Sequence, residues 1–156
     1  MDRLKMRTLI VDDNPNMREP LVRQISAAIP EIELVQAVNF EDAIQKLADA
    51  VLRNKPFDTV VADFFLRDSL HNPEGQRVLE LAKKANPNSL TILMSTKFRE
   101  DWTGFDSGIV DQFISLHFTN TDFIDDVIET LMLAAKQIDS GLLEHQRVVI
   151  ATQNAA

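Results

Sequence analysis

The sequence predicts an α/β protein in which a parallel β-sheet is covered by helices on both faces. Five short, mostly apolar runs alternate with longer segments whose apolar residues recur every three or four positions. Strands that alternate with helices along a chain form parallel sheets, because each helix returns the chain to the end of the sheet where the previous strand began. A chain of 156 residues is long enough for one such domain with a substantial core.

The five predicted strands are short, as expected for strands buried between two helical layers. Most of their residues are valine, isoleucine, leucine or threonine, which fit a pleated and buried surface. The predicted strands cover residues 8–11, 33–38, 59–62, 90–94 and 112–116. Their spacing leaves room for one helix between each consecutive pair.

The first predicted helix is constrained by Pro20, which lacks the N–H group that a helix interior requires. Proline is tolerated in the first turn, so we expect this helix to begin near Asn16 or Met17 rather than at Asn14. Pro30 follows its end. Its apolar stripe consists of Leu21, Val22, Ile25 and Ala28.

The remaining helices follow from capping residues and apolar periodicity. The second begins after Asn39, whose side chain can cap it, and the third stops before Pro87. The segment 96–110 has poor periodicity, and we expect a short or irregular helix there. The last helix has the clearest pattern, with Thr121 as its cap and Gly141 at its end.

Carboxylates follow two of the predicted strands at the points where those strands end. Asp12 and Asp13 come directly after the first strand, and Asp63 follows the third. The carboxyl ends of parallel strands lie at one edge of the sheet, so we expect these acids and Ser95, after the fourth strand, to share one crevice. Adjacent carboxylates repel each other unless a cation lies between them, and Mg²⁺ prefers such oxygens. The sequence therefore predicts a magnesium site.

The composition excludes several other classes of protein. There are no cysteines, which rules out disulfides, thiolate metal sites and cysteine nucleophiles and is typical of a cytoplasmic protein. No apolar run approaches the length of a membrane span. A net charge of −8 argues against direct binding of nucleic acid. These observations favour a cytoplasmic protein that binds a cation or another protein.

The order of these motifs resembles the receiver domain of bacterial two-component response regulators. An acid pair follows the first strand, a lone aspartate the third and a hydroxyl the fourth, and an aromatic residue, Phe113, lies on the fifth. The resemblance covers roughly residues 6–138 and implies a doubly wound, flavodoxin-like fold with a five-stranded sheet in the order 2-1-3-4-5. It also implies that the Ser95 hydroxyl senses the phosphate and that Phe113 is the aromatic switch residue.

The resemblance further implies a phosphorylation site and a role for each acid. Asp63 would accept a phosphoryl group from a sensor histidine kinase or a phosphotransfer protein, which makes an aspartyl phosphate. Asp63 would also be a ligand of Mg²⁺. Asp13 would bind this ion directly and Asp12 largely through water, and the backbone carbonyl of Phe65 would be a further protein ligand.

Two features depart from the family pattern. A Lys-Pro pair follows the fifth strand in the family, but Leu116 and His117 stand there in this chain, so one phosphate-binding cation is missing. The loop after Asp63 is also longer than in the family. The intact acid triad favours a phosphorylatable receiver that acts as a switch rather than as an enzyme. Leu116 favours an atypical pseudo-receiver that binds proteins without phosphorylation. A phosphatase of another α/β family is a remote third alternative, since its usual DxD motif is absent.

The expected organisation is one receiver domain over residues 1–140 and a C-terminal tail or linker over residues 141–156. The tail is too short for a DNA-binding module. The chain is therefore either a stand-alone receiver that acts on a downstream protein target through protein contacts or a fragment of a longer regulator. The segment 97–108 is rich in aromatic residues, and with the last helix it is a candidate protein interface, including that of a homodimer. The alternative is that these rings pack inward.

Overall fold

Five strands and four helices follow one another in the described part of the chain. The computed structural model describes residues 6–64, 66, 74–95, 108–115 and 122–139. The elements are β1 (Arg7–Val11), α1 (Pro15–Ala28), β2 (Glu33–Ala37), α2 (Phe40–Leu52), β3 (Thr59–Asp63), α3 (Glu74–Ala85), β4 (Leu90–Ser95), β5 (Gln112–Ser115) and α4 (Asp122–Asp139).

The sheet is entirely parallel, and its strands lie in the order β2-β1-β3-β4-β5. The predicted fold class and strand order are confirmed. The chain moves outward from β1 to β2 and then crosses back to β3 on the other side of β1. The direction of winding therefore reverses between β1 and β3, and in sheets of this kind a ligand-binding crevice lies at the carboxyl ends of such a pair.

Two apolar layers form the core, one on each face of the sheet. Alternate residues of each strand point to opposite faces, so that Ile10 and Ile92 belong to one layer while Leu9 and Leu93 belong to the other. The first layer packs against α1 and α4, and the second packs against α2 and α3. This arrangement leaves the strand ends as the accessible part of the sheet.

The start of α1 differs from the sequence-based expectation. The helix begins at Pro15, directly after Asn14, and Pro20 lies inside it. The Asn14 side chain caps the helix by accepting a hydrogen bond from the Asn16 N–H at 3.0 Å. Pro15 suits the first helical position. Pro20 cannot donate to the carbonyl of Asn16, but Asn16 is exposed and water can reach it, which makes an internal proline tolerable there.

The start of α2 and the end of α3 agree with their predicted boundaries. The Asn39 side chain caps α2 by accepting from the Asp42 N–H at 2.7 Å, and α3 ends two residues before Pro87. The predicted caps of the last helix, Thr121 and Gly141, lie outside the described residues, as does most of the segment 96–110. Within the described ranges, none of the helices is long and apolar enough to cross a membrane.

A polar network joins α3, β4 and β5 at the amino ends of the strands. The Lys83 ammonium donates to the Asp111 carboxylate at 2.5 Å and to the Ser89 carbonyl at 2.6 Å. The same carboxylate accepts from the Thr91 backbone N–H at 2.9 Å. These bonds fix β5 against β4 at the end of the sheet away from the predicted crevice.

Candidate functional site

Three carboxylates converge at the carboxyl ends of β1 and β3. Val11 pairs with Ala62 in the parallel register, so Asp12 and Asp63 each lie one residue further along neighbouring strands. One carboxylate oxygen each from Asp12, Asp13 and Asp63 lies within 4.8 Å of the other two. The structure thus brings together the three acids that the strand-end positions predicted to meet.

Asp12 is the buried member of the cluster, with 1% of its surface exposed. Its Oδ1 atom accepts a hydrogen bond from the Asn14 N–H at 2.9 Å. Its Oδ2 atom is buried and has no hydrogen-bond partner among the residues that the structure describes. The pKa of Asp12 is raised to about 6, mainly by burial and to a lesser extent by the nearby Asp13, while the Asn14 hydrogen bond and the Arg18 charge act in the opposite direction.

The other two acids are accessible: Asp13 is exposed and Asp63 is half-buried. Octahedral Mg²⁺ binds oxygens at about 2.1 Å, so two of its ligands lie roughly 3 to 4.2 Å apart. Oxygens within 4.8 Å of one another therefore need only small side-chain rotations, or one intervening water, to share such an ion. The buried Oδ2 atom of Asp12 is the kind of unsatisfied acceptor that a cation would complete. The donor set fits a hard divalent cation.

Ser95 and Phe113 lie on neighbouring strands beside this cluster. Ser95 is the last residue of β4 and is fully buried, and it lies one residue beyond Met94, which pairs with Asp63. Phe113 is half-buried on β5 and packs against the apolar layer beneath α2 and α3. Phe113 pairs with Leu93, two residues before Ser95, so both side chains lie on the same face of the sheet.

Two predicted site residues lie outside the described part of the chain. These are Phe65, whose backbone carbonyl is the predicted further ligand of Mg²⁺, and Leu116, which occupies the lysine position of the receiver pattern. Their roles stay predictions. The predicted interface segment 97–108 also lies outside the described residues, apart from Gly108 at its end.

Arg18 is a site residue that the sequence analysis did not identify. Its Nη1 atom donates to the backbone carbonyl of Asp12 at 2.7 Å, and its Nε atom donates to the Gln36 side-chain oxygen at 3.2 Å. The sequence alone does not show which carbonyl group a helical arginine will contact. Its position in the helix that follows the acid pair is the only sequence signal.

Gly75 is a second residue whose role the sequence did not disclose. Its N–H donates to the Phe64 carbonyl at 3.1 Å, and α3 begins directly against the end of β3. A Cβ atom at this position would overlap the Asp63 carbonyl oxygen and come within 2.8 Å of the Phe64 Cα atom. Only glycine allows this close approach. A glycine shortly before the apolar stripe of the third predicted helix was the available signal, because alanine is more stable than glycine within a helix.

Solved structures share this architecture, although no protein-family model and no curated protein sequence matches the chain. The response regulator TrrA from Thermotoga maritima, solved in complex with Mg²⁺ and beryllofluoride, is 23% identical, with a TM-score of 0.62. The match covers 84% of this chain and 99% of that one. The chain has the fold of a response regulator receiver domain.

Further receiver structures agree. A CheY-like receiver domain from Methanospirillum hungatei is 21% identical, with a TM-score of 0.65, and the match covers 88% of this chain and 99% of that one. The phosphorylated cyanobacterial phytochrome response regulator RcpA is 17% identical, with a TM-score of 0.62, over 81% of this chain and 91% of that one. At these identities the comparisons establish the receiver fold, and the chemistry has to be argued from the site.

Proposed function

We propose that this chain is a phosphorylatable receiver of a two-component phosphorelay, with Asp63 as the phospho-acceptor and Mg²⁺ as the cofactor. The observation that carries the proposal is the convergence of Asp12, Asp13 and Asp63 at the switch point of a receiver fold, with a buried and unsatisfied oxygen on Asp12. In this role the protein is a signalling switch rather than an enzyme that turns over a separate substrate.

The half-buried Asp63 carboxylate has the accessibility that a nucleophile requires. With acetyl phosphate, one of its oxygens attacks the phosphorus atom, the new P–O bond forms, and the bond to the acetate oxygen breaks as acetate leaves with the electron pair. The product is an aspartyl phosphate. Asp12 and Asp13, together with Asp63, would hold Mg²⁺, and the ion would offset the repulsion between the acidic acceptor and the anionic donor.

Ser95 and Phe113 would couple phosphorylation of Asp63 to a conformational change at the protein surface. Ser95 is the last residue of β4 and lies one residue beyond Met94, which pairs with Asp63. Its hydroxyl would donate a hydrogen bond to the phosphoryl oxygens. Phe113 lies on the same face of the adjacent strand and would repack when Ser95 moves. The proposed partners are a sensor histidine kinase or phosphotransfer protein upstream and a protein target, or a second copy of the chain, downstream. A cytoplasmic location stays a prediction.

The test is phosphorylation by acetyl phosphate in the presence of Mg²⁺, measured by intact-protein mass spectrometry. Wild type should gain one phosphoryl group, and Asp63→Asn should gain none while its circular dichroism spectrum is unchanged. Asp125→Asn, which removes an exposed acid on α4, is the matched control and should be labelled like wild type. Labelling of Asp63→Asn at the wild-type rate would show that the acceptor is another residue.

A pseudo-receiver is the second candidate function, and the leucine at position 116 favours it. Without a lysine there, the phosphoryl group loses a charge-assisted hydrogen bond worth about 1.5–3 kcal/mol. Such a protein would bind its partner without phosphorylation. Absence of labelling in wild type, together with retained Mg²⁺ binding, would favour this candidate over the first.

A further inference from the structure

The guanidinium group of Arg18 joins three elements next to the acid cluster. It extends from α1, donates to the Asp12 carbonyl just beyond β1 at 2.7 Å, and donates to the Gln36 side chain of β2 at 3.2 Å. Arg18 is itself half-buried. Because a guanidinium is planar and donates in fixed directions, this double contact restrains the main chain of Asp12 more than a single ammonium group could.

Asp12 is consequently held at three points. Its N–H donates to the Ala37 carbonyl at 3.2 Å, its carbonyl accepts from Arg18, and its Oδ1 atom accepts from the Asn14 N–H at 2.9 Å. The remaining oxygen, Oδ2, is buried without a hydrogen-bond partner among the described residues. The restraints thus limit the orientations open to the carboxylate, and Oδ2 is an acceptor that a cation could complete.

We infer that Arg18 is a positioning residue that orients Asp12 for a divalent cation and makes the site selective for a small cation over a larger one. The inference rests on the metal site of the proposed function and deepens it. Mg²⁺ requires near-octahedral geometry at about 2.0–2.1 Å, whereas Ca²⁺ accepts six to eight oxygens at roughly 2.3–2.6 Å in irregular arrangements. A restrained carboxylate therefore favours Mg²⁺, and a loosened one favours Ca²⁺.

The charge of Arg18 has the opposite effect on affinity. A positive group beside the cluster repels any divalent cation, so an effect of charge alone predicts that its removal strengthens the binding of Mg²⁺ and Ca²⁺ equally. If Arg18 instead positions Asp12, removing the Arg18 guanidinium should weaken Mg²⁺ binding and lower the ratio of Mg²⁺ to Ca²⁺ affinity. Outer-shell groups that orient a ligand typically contribute about tenfold or more to metal affinity. The selectivity ratio separates the two effects.

The experiment is calorimetric titration of the full chain with Mg²⁺ and, separately, with Ca²⁺. Arg18→Met keeps the apolar stem and removes both hydrogen bonds, and it should weaken Mg²⁺ binding about tenfold and Ca²⁺ binding much less. Arg18→Lys keeps the charge but cannot make the double contact, so its ratio of Mg²⁺ to Ca²⁺ affinity should lie between those of Arg18→Met and wild type. Arg23→Met removes an exposed arginine from the same helix and should match wild type.

Several results would overturn this role of Arg18. They are unchanged or tighter Mg²⁺ binding in Arg18→Met, and an equal loss of affinity for both ions. Should Arg18→Met fail to fold by circular dichroism, a wild-type selectivity ratio in Arg18→Lys would overturn it instead. Wild type that binds no Mg²⁺ would refute the metal site of the proposed function together with the inference. Wild type that binds Mg²⁺, with Arg18 variants that bind equally, would refute the inference alone.

Discussion

The carboxyl group of Asp12 is buried beside a second carboxylate, and this placement disfavours its ionised form. Its pKa is about 6 in the folded protein against a usual value of 3.8, with burial as the main cause. The folded state therefore binds a proton more tightly than the unfolded state does. At neutral pH, without a cation, the ionised group destabilises the fold by about 3 kcal/mol, and this cost disappears as the pH falls through 6 toward 4.

We therefore expect Asp12→Asn to stabilise the metal-free protein at pH 7 by up to about 3 kcal/mol, and to stabilise it little at pH 4. Urea unfolding in chelator at both pH values measures the difference. Asp125→Asn, at an exposed position of α4, should change the stability little at either pH. Saturating Mg²⁺ should stabilise wild type but not Asp12→Asn. An Asp12→Asn variant that is no more stable than wild type at pH 7 would contradict this account.

At the scale of the elements, α3 lies in close contact with the site, because its first turn touches the end of β3. A Cβ atom on Gly75 would overlap the Asp63 carbonyl oxygen, which is backbone and cannot rotate away. Either α3 or the end of β3 must then shift. The overlap is expected to destabilise the fold by about 1–3 kcal/mol, which exceeds the roughly 1 kcal/mol that alanine gains over glycine within a helix.

Gly75→Ala should therefore lower the free energy of unfolding and also weaken Mg²⁺ binding, since Asp63 shares the displaced backbone. Chemical denaturation and calorimetric titration of the same samples give the two quantities. Arg77→Ala, at an exposed position of α3 that forms a surface ion pair with Glu80, is the matched control and should change stability by less than about 1 kcal/mol. A Gly75→Ala protein that is as stable as wild type would show that α3 adapts freely.

A comparison of the strands and helices with their predictions shows which structural features can be predicted from the sequence. Each described strand matches its prediction to within one residue, because a buried parallel strand has a simple apolar signature. The three acids could be predicted to meet because the carboxyl ends of parallel strands share an edge. The helix α1 begins one residue before its predicted start, with Asn14 as its cap, and Pro20 therefore lies inside the helix rather than in its first turn. Arg18 depends on a contact between α1 and the end of β1, which no local pattern encodes.

At the scale of the whole molecule, the two ends of the sheet differ in how they are held. The amino ends of β4 and β5 are fixed by the half-buried ion pair of Lys83 and Asp111, and the Asp111 carboxylate also accepts a hydrogen bond from the Thr91 N–H. The carboxyl ends carry the acid cluster with its unsatisfied oxygen, as well as Ser95. A phosphoryl group at Asp63 would act on the end of the sheet opposite this network, and we expect the resulting change to reach the surface through β5 and its neighbours.

Self-association is the prediction that concerns the molecule as a whole. The last helix was predicted to contribute to a homodimer, and α4 exposes Met132, with 43% of its surface accessible. Leu52 is 85% exposed on α2, which packs on the other face of the sheet, and it provides a control of similar apolar character. If α4 forms the interface, Met132→Glu should weaken the dimer at least tenfold, or about 1.4 kcal/mol, because a buried charge at an apolar contact is unfavourable.

Sedimentation velocity over a range of protein concentrations, with Mg²⁺ and beryllofluoride, measures this association. Wild type and Leu52→Glu should dimerise alike, and Met132→Glu should stay monomeric at concentrations where they do not. A wild type that is monomeric throughout would contradict the homodimer. A dimer that Leu52→Glu disrupts and Met132→Glu leaves intact would place the interface on the α2 and α3 face, because a charge weakens only the contact in which it is buried.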